Sequence, residues 1–283
     1  MAERIKKVKN CRLARNFHRT FIPEKQYLSK LLKYAAGNGK YDMQAIADET
    51  GIPTGASSGK ALPTAEYCLG MGLVKIDEID KENILSLTTF GRTILLEDKY
   101  FREPLTQWMA HLNLCNKDFG AEIWYQTFWN GNSILGEEFS KDKLNDWLCV
   151  ILKIANQNII GPTVRMYEDE TSFLACGAVS TSGDTIIRKK APIDLSYGMG
   201  YAAWIAAGVE RAGRLGAQIT VDELEEYCGF RSLSGWNIAE SQQVLSMLEQ
   251  KGVISVDRHM RPWIVCVKYS SDSLWKRLYE DFI

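Results

Sequence analysis

Residues 24–36, Glu-Lys-Gln-Tyr-Leu-Ser-Lys-Leu-Leu-Lys-Tyr-Ala-Ala, give the helical pattern from which the N-terminal part of the chain is interpreted. Their apolar side chains recur at the spacing of one helix face, and Gly37 marks the predicted end of this helix. Asp42 predicts the N-cap of a second, short helix over residues 43–50, which Gly51 ends. The N-terminal region therefore begins with two helices joined by a short connection.

A third helix and two strands follow this pair. The helix is predicted from about Leu62 to Met71, and the strands over residues 73–76 and 84–88 with a charged turn between them. Three helices followed by a two-stranded ribbon is the element order of a winged helix-turn-helix, which places its third helix in the major groove of DNA. The same order is predicted near the C-terminus, with helices over 202–212, 221–227 and 238–250 and strands over 253–256 and 263–267.

The region between the two modules is predicted to be mainly helical. Residues 105–160 contain many aromatic side chains, including Trp124, Phe128 and Trp129, whose helical spacing indicates a buried face. A platform on which bases of single-stranded nucleic acid stack is the alternative. Residues 161–193 contain turn-forming residues and are predicted to be a loop or small hairpin.

Together these elements predict a mainly α fold with small β-ribbons, of the α+β class, in which two winged helix-turn-helix modules flank a helical middle region. The predicted N-terminal module spans residues 1–104 and is basic. The middle region, with its connecting loop or hairpin, spans residues 105–193. The C-terminal module spans residues 194–283.

The formal net charge of −1 conceals an uneven distribution along the 283 residues. Residues 1–60 contain 12 Lys and Arg against 5 Asp and Glu, a net charge of +7, whereas residues 61–190 and 191–283 carry −5 and −3. A basic end of this kind favours contact with a polyanion such as double-stranded DNA, and a solvated basic tail is the alternative. An acidic second helix in the C-terminal module, with Glu223 and Glu225, makes DNA contact less favourable there.

Cysteine spacing and hydropathy exclude several classes of protein. The seven cysteines are widely separated and include no C-x-x-C pair, which excludes a disulfide framework and a zinc ribbon. No segment has the apolar length of a signal peptide or a membrane span. A cytoplasmic protein without a membrane partner is therefore predicted.

Residues 51–60, Gly-Ile-Pro-Thr-Gly-Ala-Ser-Ser-Gly-Lys, resemble a phosphate-binding loop. They lack the spacing of a Walker A motif and a preceding strand, so nucleotide hydrolysis is not predicted. Donor groups at the start of the third helix instead suit a phosphate oxygen of DNA. The predicted contacts in this loop are Thr54, Ser57, Ser58 and Lys60.

A second basic cluster lies closer to the N-terminus. The spacing of Arg12, Arg15 and Arg19 places them along one side of a helix or ordered arm, which suits a phosphate backbone. A solvated surface is the alternative. His18 is added to the predicted DNA contacts, although a histidine is more often structural than a general base in such a position.

The sequence contains no convincing catalytic constellation. Glu168, Asp169 and Glu170 form a compact acidic group that could hold Mg²⁺ in a nuclease, and a solvated acidic loop is the alternative. These three residues are the only catalytic candidates. Mg²⁺ is expected as a cofactor only if the protein nicks DNA.

Five motifs taken together resemble a known family. They are Phe17-His-x-Thr-Phe-x-Pro23, the run Gly51–Lys60, Gly70-Met-Gly-Leu73, Leu87-Thr-x-Phe-Gly-Arg92 and His111-Leu-Asn-Leu114, and the second is the most specific. The family is a bacterial one of uncharacterised-domain proteins encoded beside DNA phosphorothioation genes, and it includes the SspB-type component of the single-strand (Ssp) system. Glu24 and Thr64 stand where a basic residue and a histidine are expected in many relatives.

The resemblance implies DNA binding, with DNA nicking as a further activity, in a modification and phage-defence system that replaces a non-bridging phosphate oxygen by sulfur. It implies as partners a cysteine desulfurase, an adenylating sulfur-transfer enzyme and an ATPase. Within the family motifs, Arg92 is added to the predicted DNA contacts. A non-enzymatic adaptor for the sulfur-transfer enzymes and a winged-helix transcription regulator are the alternatives.

Overall fold

A computed structural model describes residues 11–55, 59–155, 159–259 and 261–282. The chain is built of helices and small antiparallel sheets, which confirms the predicted α+β class. Within these ranges, no helix combines the length and the apolar character that crossing a bilayer requires.

The N-terminal part places three helices and a hairpin in the predicted order. They are α1 (Lys25–Ala36), α2 (Met43–Thr50), α3 (Ala61–Gly70), β1 (Val74–Ile79) and β2 (Glu82–Leu87). The strands are antiparallel, with Val74 opposite Leu87, and Lys40 forms an isolated bridge with Ile84. The predicted helices and strands are confirmed to within a few residues, and their designation as a winged helix-turn-helix remains a prediction.

Capping and burial explain why these helices form where they do. The Asp42 carboxylate accepts hydrogen bonds from two backbone N–H groups in the first turn of α2, as predicted for an N-cap. Gly51 ends α2 with a φ of 65°, a left-handed conformation that costs a residue without Cβ little. In α1, Leu28, Leu31 and Leu32 are fully buried, so tertiary packing stabilises this helix.

The middle part of the chain is helical and contains a small sheet. Its helices are α4 (Thr89–Glu97), α5 (Pro104–Leu114), α6 (Glu122–Trp124) with a π-helical continuation (Tyr125–Asn130), α7 (Asn132–Leu135), α8 (Lys141–Ile151) and α9 (Gly161–Arg165). Its strands, β3 (Glu138–Ser140), β4 (Val179–Ser182) and β5 (Thr185–Arg188), form an antiparallel sheet in the order β3-β5-β4. The hairpin predicted within residues 161–193 is thus confirmed as β4 and β5.

Aromatic side chains of the middle part lie in the core. Trp108, Trp124 and Phe128 are 2%, 0% and 3% exposed, and every residue of α5 after Pro104 is buried. This burial confirms the predicted core face. It also removes these rings from any platform on which bases could stack.

The C-terminal part again combines helices with a small sheet. Its elements are α10 (Gly198–Arg211), β6 (Gln218–Thr220), α11 (Val221–Cys228), α12 (Ile238–Gln250), β7 (Ile254–Asp257), β8 (Ile264–Val267) and α13 (Ser271–Trp275). The strands are antiparallel in the order β6-β8-β7. Capping boxes begin α11 and α12, formed by Thr220 with Glu223 and by Asn237 with Glu240.

The three predicted regions share one core. Buried apolar side chains from all of them form a continuous cluster. Helix α10 packs against α5, α11, α12 and α13, and α13 also packs against α4. The predicted domain boundaries at residues 104/105 and 193/194 therefore cross a common core, and they remain predictions.

Cysteine side chains are free thiols, as the spacing of the seven residues predicted. Cys68, Cys115, Cys176 and Cys228 are buried, and this burial raises the pKa of each of the four thiols. Cys11 is exposed. Their environments divide the thiols into a larger, protonated group in the core and a smaller group that solvent reaches.

The junction between β2 and α4 requires a glycine. Thr88 Oγ1 accepts a hydrogen bond from the Gly91 N–H at 3.0 Å and donates to the Gly72 carbonyl at 2.6 Å. A Cβ atom at Gly91 would lie only 1.8 Å from the carbonyl oxygen of Leu73. Any larger residue at position 91 must therefore displace the backbone.

Gly91→Ala is expected to lower the free energy of unfolding by about 3 kcal/mol, because the backbone must shift to admit one methyl group. Gly161→Ala is the matched control, since a Cβ there meets nothing within 4 Å. Its free energy of unfolding should stay within about 1 kcal/mol of the original value. Urea denaturation measures both variants, and equal stability of the two would contradict the close approach at Gly91.

Candidate nucleic-acid interface

Three separate segments meet at the N-terminal end of α1. The Lys25 N–H donates a hydrogen bond to the Thr171 carbonyl at 2.8 Å. Lys60, at the start of α3, forms an ion pair with Glu24 at 2.5 Å. Residues 15–25, the start of α3 and residues 165–172 therefore share one side of the molecule. The cations of these segments, called the basic surface, are Arg15, Arg19, Lys25, Lys60 and Arg165, and the same segments also carry Glu24, Glu66, Glu168, Asp169 and Glu170.

Residues 15–20 form consecutive turns, not a helix. Arg19 and Thr20 have φ angles of 54° and 105°, which are incompatible with a right-handed helix. Leu13 forms a bridge with Ala121, so this ordered arm is anchored to the middle part of the chain. Of the predicted contacts on the arm, Arg15 is exposed and Arg19 is half-buried.

Arg12 does not join the basic surface in these contacts. Its Nε donates to Glu122 at 2.6 Å and its Nη1 donates to the Lys117 carbonyl at 2.5 Å. The guanidinium also lies 4.2 Å from the centre of the Tyr125 ring. Because Glu122 already compensates its charge, DNA contact by Arg12 would compete with this internal ion pair.

His18 is buried among aromatic rings and is only 6% exposed. Its ring packs against Phe17 and Trp124, with centroid distances of 5.3 and 6.1 Å. Burial lowers the pKa of His18 to about 4, so the imidazole is neutral near pH 7. His18 therefore does not present a positive charge at the surface, as the predicted DNA contact would require. Its buried ring instead packs beneath the arm.

Lys60 lies in a small aromatic and acidic environment. Its ammonium group pairs with Glu24 and lies 5.5 and 5.3 Å from the ring centres of Phe21 and Tyr27. The Lys60 and Glu24 side chains are 28% and 16% exposed, so solvent still reaches both groups. Lys60 thus remains available to an incoming anion that can replace Glu24.

The loop before α3 directs most of its described donors inward. The N–H groups of Lys60 and Ala61 both donate to the Pro53 carbonyl, at 2.7 and 3.1 Å. Thr54 Oγ1 is buried and has no hydrogen-bond partner among the described residues. Pro63 has no N–H to offer in the first turn. The backbone contribution predicted for phosphate binding is therefore reduced to few donors.

The remaining predicted contacts have different positions. Ser57 and Ser58 lie outside the described residues. Arg92 is exposed on α4, and in the described part of the chain no hydrogen bond or ion pair connects it with the basic surface. DNA contact by these three residues remains a prediction.

The acidic group at residues 168–170 does not assemble a metal site. Asp169 accepts hydrogen bonds from the N–H and the hydroxyl of Thr171, which lower the pKa of the Asp169 carboxyl. Glu168 accepts a hydrogen bond from Thr181 at 2.5 Å. Across the described ranges, no three Asp, Glu, His or Cys side chains are grouped closely enough to hold a metal ion. The hypothesis that Glu168, Asp169 and Glu170 hold Mg²⁺ is therefore not supported by their geometry.

Several residues on this side of the molecule could not be identified as candidates from the sequence. Lys25 and Arg165 both lie close enough to Asp169 to favour its charged form, although they are far apart in the chain. Glu66 on α3 is half-buried, and burial raises its pKa to about 7, against the opposing effect of Arg19. Only spatial proximity identifies these residues, which no local motif contains.

The helices and small antiparallel sheets define an α+β protein. Residues 16–162 match the family described as "Protein of unknown function (DUF4007)", and the chain belongs to that family. No curated protein sequence matches the chain.

Two solved structures share the fold over nearly the whole chain. The first, described as "SspB crystal structure", has a TM-score of 0.72 and 14% identity, with 97% of this chain and 89% of that chain covered. The second, "Magnesium ion-bound SspB crystal structure", has a TM-score of 0.69 and 14% identity, with 94% and 87% covered. At this identity the likeness establishes a common fold.

The burial of His18 predicts a specific dependence of stability on pH. The folded protein binds the His18 proton more weakly than the unfolded chain does, so the free energy of unfolding should fall as pH decreases from 6.5 to about 4. The loss from this residue is about 3 kcal/mol over that interval. Urea denaturation at several pH values should show a shallower loss in His18→Gln. An identical pH dependence in the two proteins would contradict a buried, neutral His18.

Proposed function

We propose that the protein is a DNA-engaging component of a bacterial DNA phosphorothioate modification and phage-defence system of the Ssp type. The observation that carries the proposal is the likeness to SspB over 97% of the chain, and family membership agrees with it. The basic surface adds a physical reason, because clustered Lys and Arg side chains bind phosphate oxygens through charge-assisted hydrogen bonds. In this system the protein works beside a cysteine desulfurase, an adenylating sulfur-transfer enzyme and an ATPase.

The cations of the basic surface differ in how accessible they are to a phosphate group of DNA. Arg15 and Arg165 are exposed and have no ion pair among the described residues. They supply the first contacts with phosphate, which are independent of sequence. Lys25 is half-buried beside Asp169, so its contribution is smaller.

Lys60 contributes through an exchange of partners. In the free protein its ammonium group is paired with Glu24. A phosphate oxygen that takes the place of the Glu24 carboxylate gains a charge-assisted hydrogen bond, while Glu24 returns to water. The net gain is small, because one ion pair is lost for each one formed. Glu24 therefore weakens the DNA contact of Lys60.

DNA nicking is the finer part of the proposal and has no assigned catalytic group. Mg²⁺ binding at the acidic group is not supported, because in the described ranges no three Asp, Glu, His or Cys side chains are grouped closely enough to hold a metal ion. We therefore assign DNA engagement to the basic surface and derive no cleavage step from it.

Single substitutions on the basic surface test DNA engagement. Arg15→Ala should weaken binding of duplex DNA about threefold to tenfold and reduce the slope of log affinity against log salt by roughly 0.9, and Lys60→Ala should have a smaller effect on both quantities. Glu24→Gln should act in the opposite direction, because it frees Lys60. Fluorescence anisotropy across a salt series measures both quantities.

Lys276→Ala is the matched control, since it removes one exposed positive charge from the C-terminal end of the chain. Its affinity for DNA should be unchanged. A flat salt response of the original protein, or equal affinity in Arg15→Ala and Lys276→Ala, would refute DNA engagement through the basic surface.

Relaxation of supercoiled plasmid tests the role of the acidic group. If the protein nicks plasmid with Mg²⁺, the double variant Glu168→Gln/Asp169→Asn should retain that activity, because these side chains do not form a metal site. Gel electrophoresis after incubation with Mg²⁺ measures the relaxed fraction. If the double variant binds DNA but no longer relaxes plasmid, the nicking activity depends on residues 168–170, and they must be reconsidered as the metal site.

A further inference from the structure

Helix α3 lacks the exposed polar face that contact with bases requires. Most of its residues are buried, and only Leu62, Glu66 and Leu69 are half-exposed. Two of these side chains are apolar and cannot form hydrogen bonds with base edges. The third is acidic and half-buried, so the negative potential of DNA opposes its insertion. The third helix of the N-terminal part is therefore a core element.

Helix α12 of the C-terminal part has the opposite character. It spans 13 residues, about 20 Å, and its exposed and half-exposed positions recur every three or four residues. These positions are Ile238, Ala239, Glu240, Gln242, Gln243, Ser246, Glu249 and Gln250. Two of them, Glu240 and Glu249, are charged, and the other six are neutral. Glutamine amides both donate and accept hydrogen bonds, which is the pattern that an adenine presents in the major groove.

An apolar group adds to this face at the start of α12. Ile238 is 61% exposed. It directly follows Asn237, which forms the capping box of α12 with Glu240. An exposed aliphatic side chain of this kind can contact the methyl group of thymine. The helix thus offers contacts to both bases of an A·T pair.

The hairpin β7–β8 places cations beside the same face. Arg258 donates to Glu249 at 2.7 Å and to Ser246 at 3.2 Å, and its guanidinium lies 5.1 Å from the centre of the Trp263 ring. Arg261 is exposed and has no hydrogen bond or ion pair in the described part of the chain. A groove between the helix and the hairpin is lined by Gln242 and Arg261 among others.

Carboxylates near α12 are occupied by internal partners. Glu240 pairs with Lys190 at 3.0 Å and caps the helix. Glu249 pairs with Arg258, and Asp257 lies 2.7 Å from His259 Nδ1. Glu240 and Glu249 therefore do not leave an uncompensated negative charge on this face.

Helix α11 is less acidic in effect than its sequence suggested. Glu223 completes the capping box of this helix, and Glu225 accepts hydrogen bonds from the N–H groups of Arg231 and Ser232. Asp222 pairs with Arg231 at 2.9 Å. Glu226 remains exposed without a partner in the described ranges. The expectation that α11 repels DNA rested on Glu223, Glu225 and Glu226, of which the first two have structural partners.

We propose that α12 is the helix that contacts bases in the major groove of duplex DNA, with Gln242 and Gln243 as the specificity-determining residues. Arg261 contacts an adjacent phosphate, while Arg258 stays paired with Glu249. The basic surface supplies contacts that do not depend on sequence. This inference rests on the proposed function, since it assumes that duplex DNA is the ligand. It assigns sequence recognition to the C-terminal part, where the sequence favoured the N-terminal one.

Selection of duplexes from a pool with a randomised central segment tests the assignment. The full chain should enrich a preferred sequence, and anisotropy then gives its affinity relative to a scrambled duplex. Gln242→Ala/Gln243→Ala should reduce that preference roughly tenfold or more, with an unchanged salt dependence. Gln243→Glu, which keeps the size of the side chain but removes its donor, should change or abolish the preferred sequence.

Two control variants separate the possible failures. Glu66→Gln changes the one polar side chain on the exposed part of α3 and should leave the preference intact. Arg15→Ala should weaken binding to all duplexes equally. If the original protein does not bind duplex DNA, the proposed function fails. If it binds DNA but shows no preference, or keeps its preference in Gln242→Ala/Gln243→Ala, the assignment of α12 is wrong while DNA engagement stands.

Discussion

The buried hydroxyl group of Tyr167 joins parts of the chain that are distant in sequence. Trp124 Nε1 donates to it at 3.2 Å, and it lies within hydrogen-bond distance of His111 Nδ1, at 2.6 Å. Burial lowers the pKa of His111 to about 3 and raises the pKa of Tyr167, so both groups stay neutral. Phe17 and Tyr67 pack against Trp124, with ring centres 6.0 and 5.9 Å away. The arm and α3 are thus attached to one rigid aromatic centre, and the orientation of the basic surface depends on it.

The ends of the helices could be predicted from neighbouring residues, whereas the tertiary contacts of their side chains could not. Asp42 and Gly51 have the same roles in the structure that their residue types predicted, because capping depends on adjacent backbone groups. The pairing of Lys60 with Glu24 joins positions 36 residues apart and leaves no local pattern. The burial of His18 depends on Trp124, which comes from another segment. Spacing could therefore place candidate cations on the arm, but it could not show which of them tertiary contacts had already engaged.

The two helical modules differ in what their third helices present to solvent. Alanine, proline and cysteine on α3 suit close packing, and a sequence with so few polar residues carries little amphipathic signal. On α12, two consecutive glutamines lie beside buried Val244 and Leu245, so the same helix has a packed side and a polar side. The same element order therefore supports one module that organises the core and another whose third helix faces outward. Element order alone does not determine which module binds a ligand.

In the proposed system the protein works near enzymes that carry sulfur, and the burial of its cysteines determines which thiols such an enzyme can modify. A persulfide donor transfers sulfur to a thiolate that it can reach, and a buried thiol with a raised pKa is neither ionised nor accessible. Four of the seven cysteines, including Cys68 and Cys228, are shielded in this way. Cys11, Cys149 and Cys266 are the only described thiols that solvent reaches. In the proposed system, the core of this protein is therefore inert toward stray sulfur, and unintended persulfide would accumulate only at these three positions.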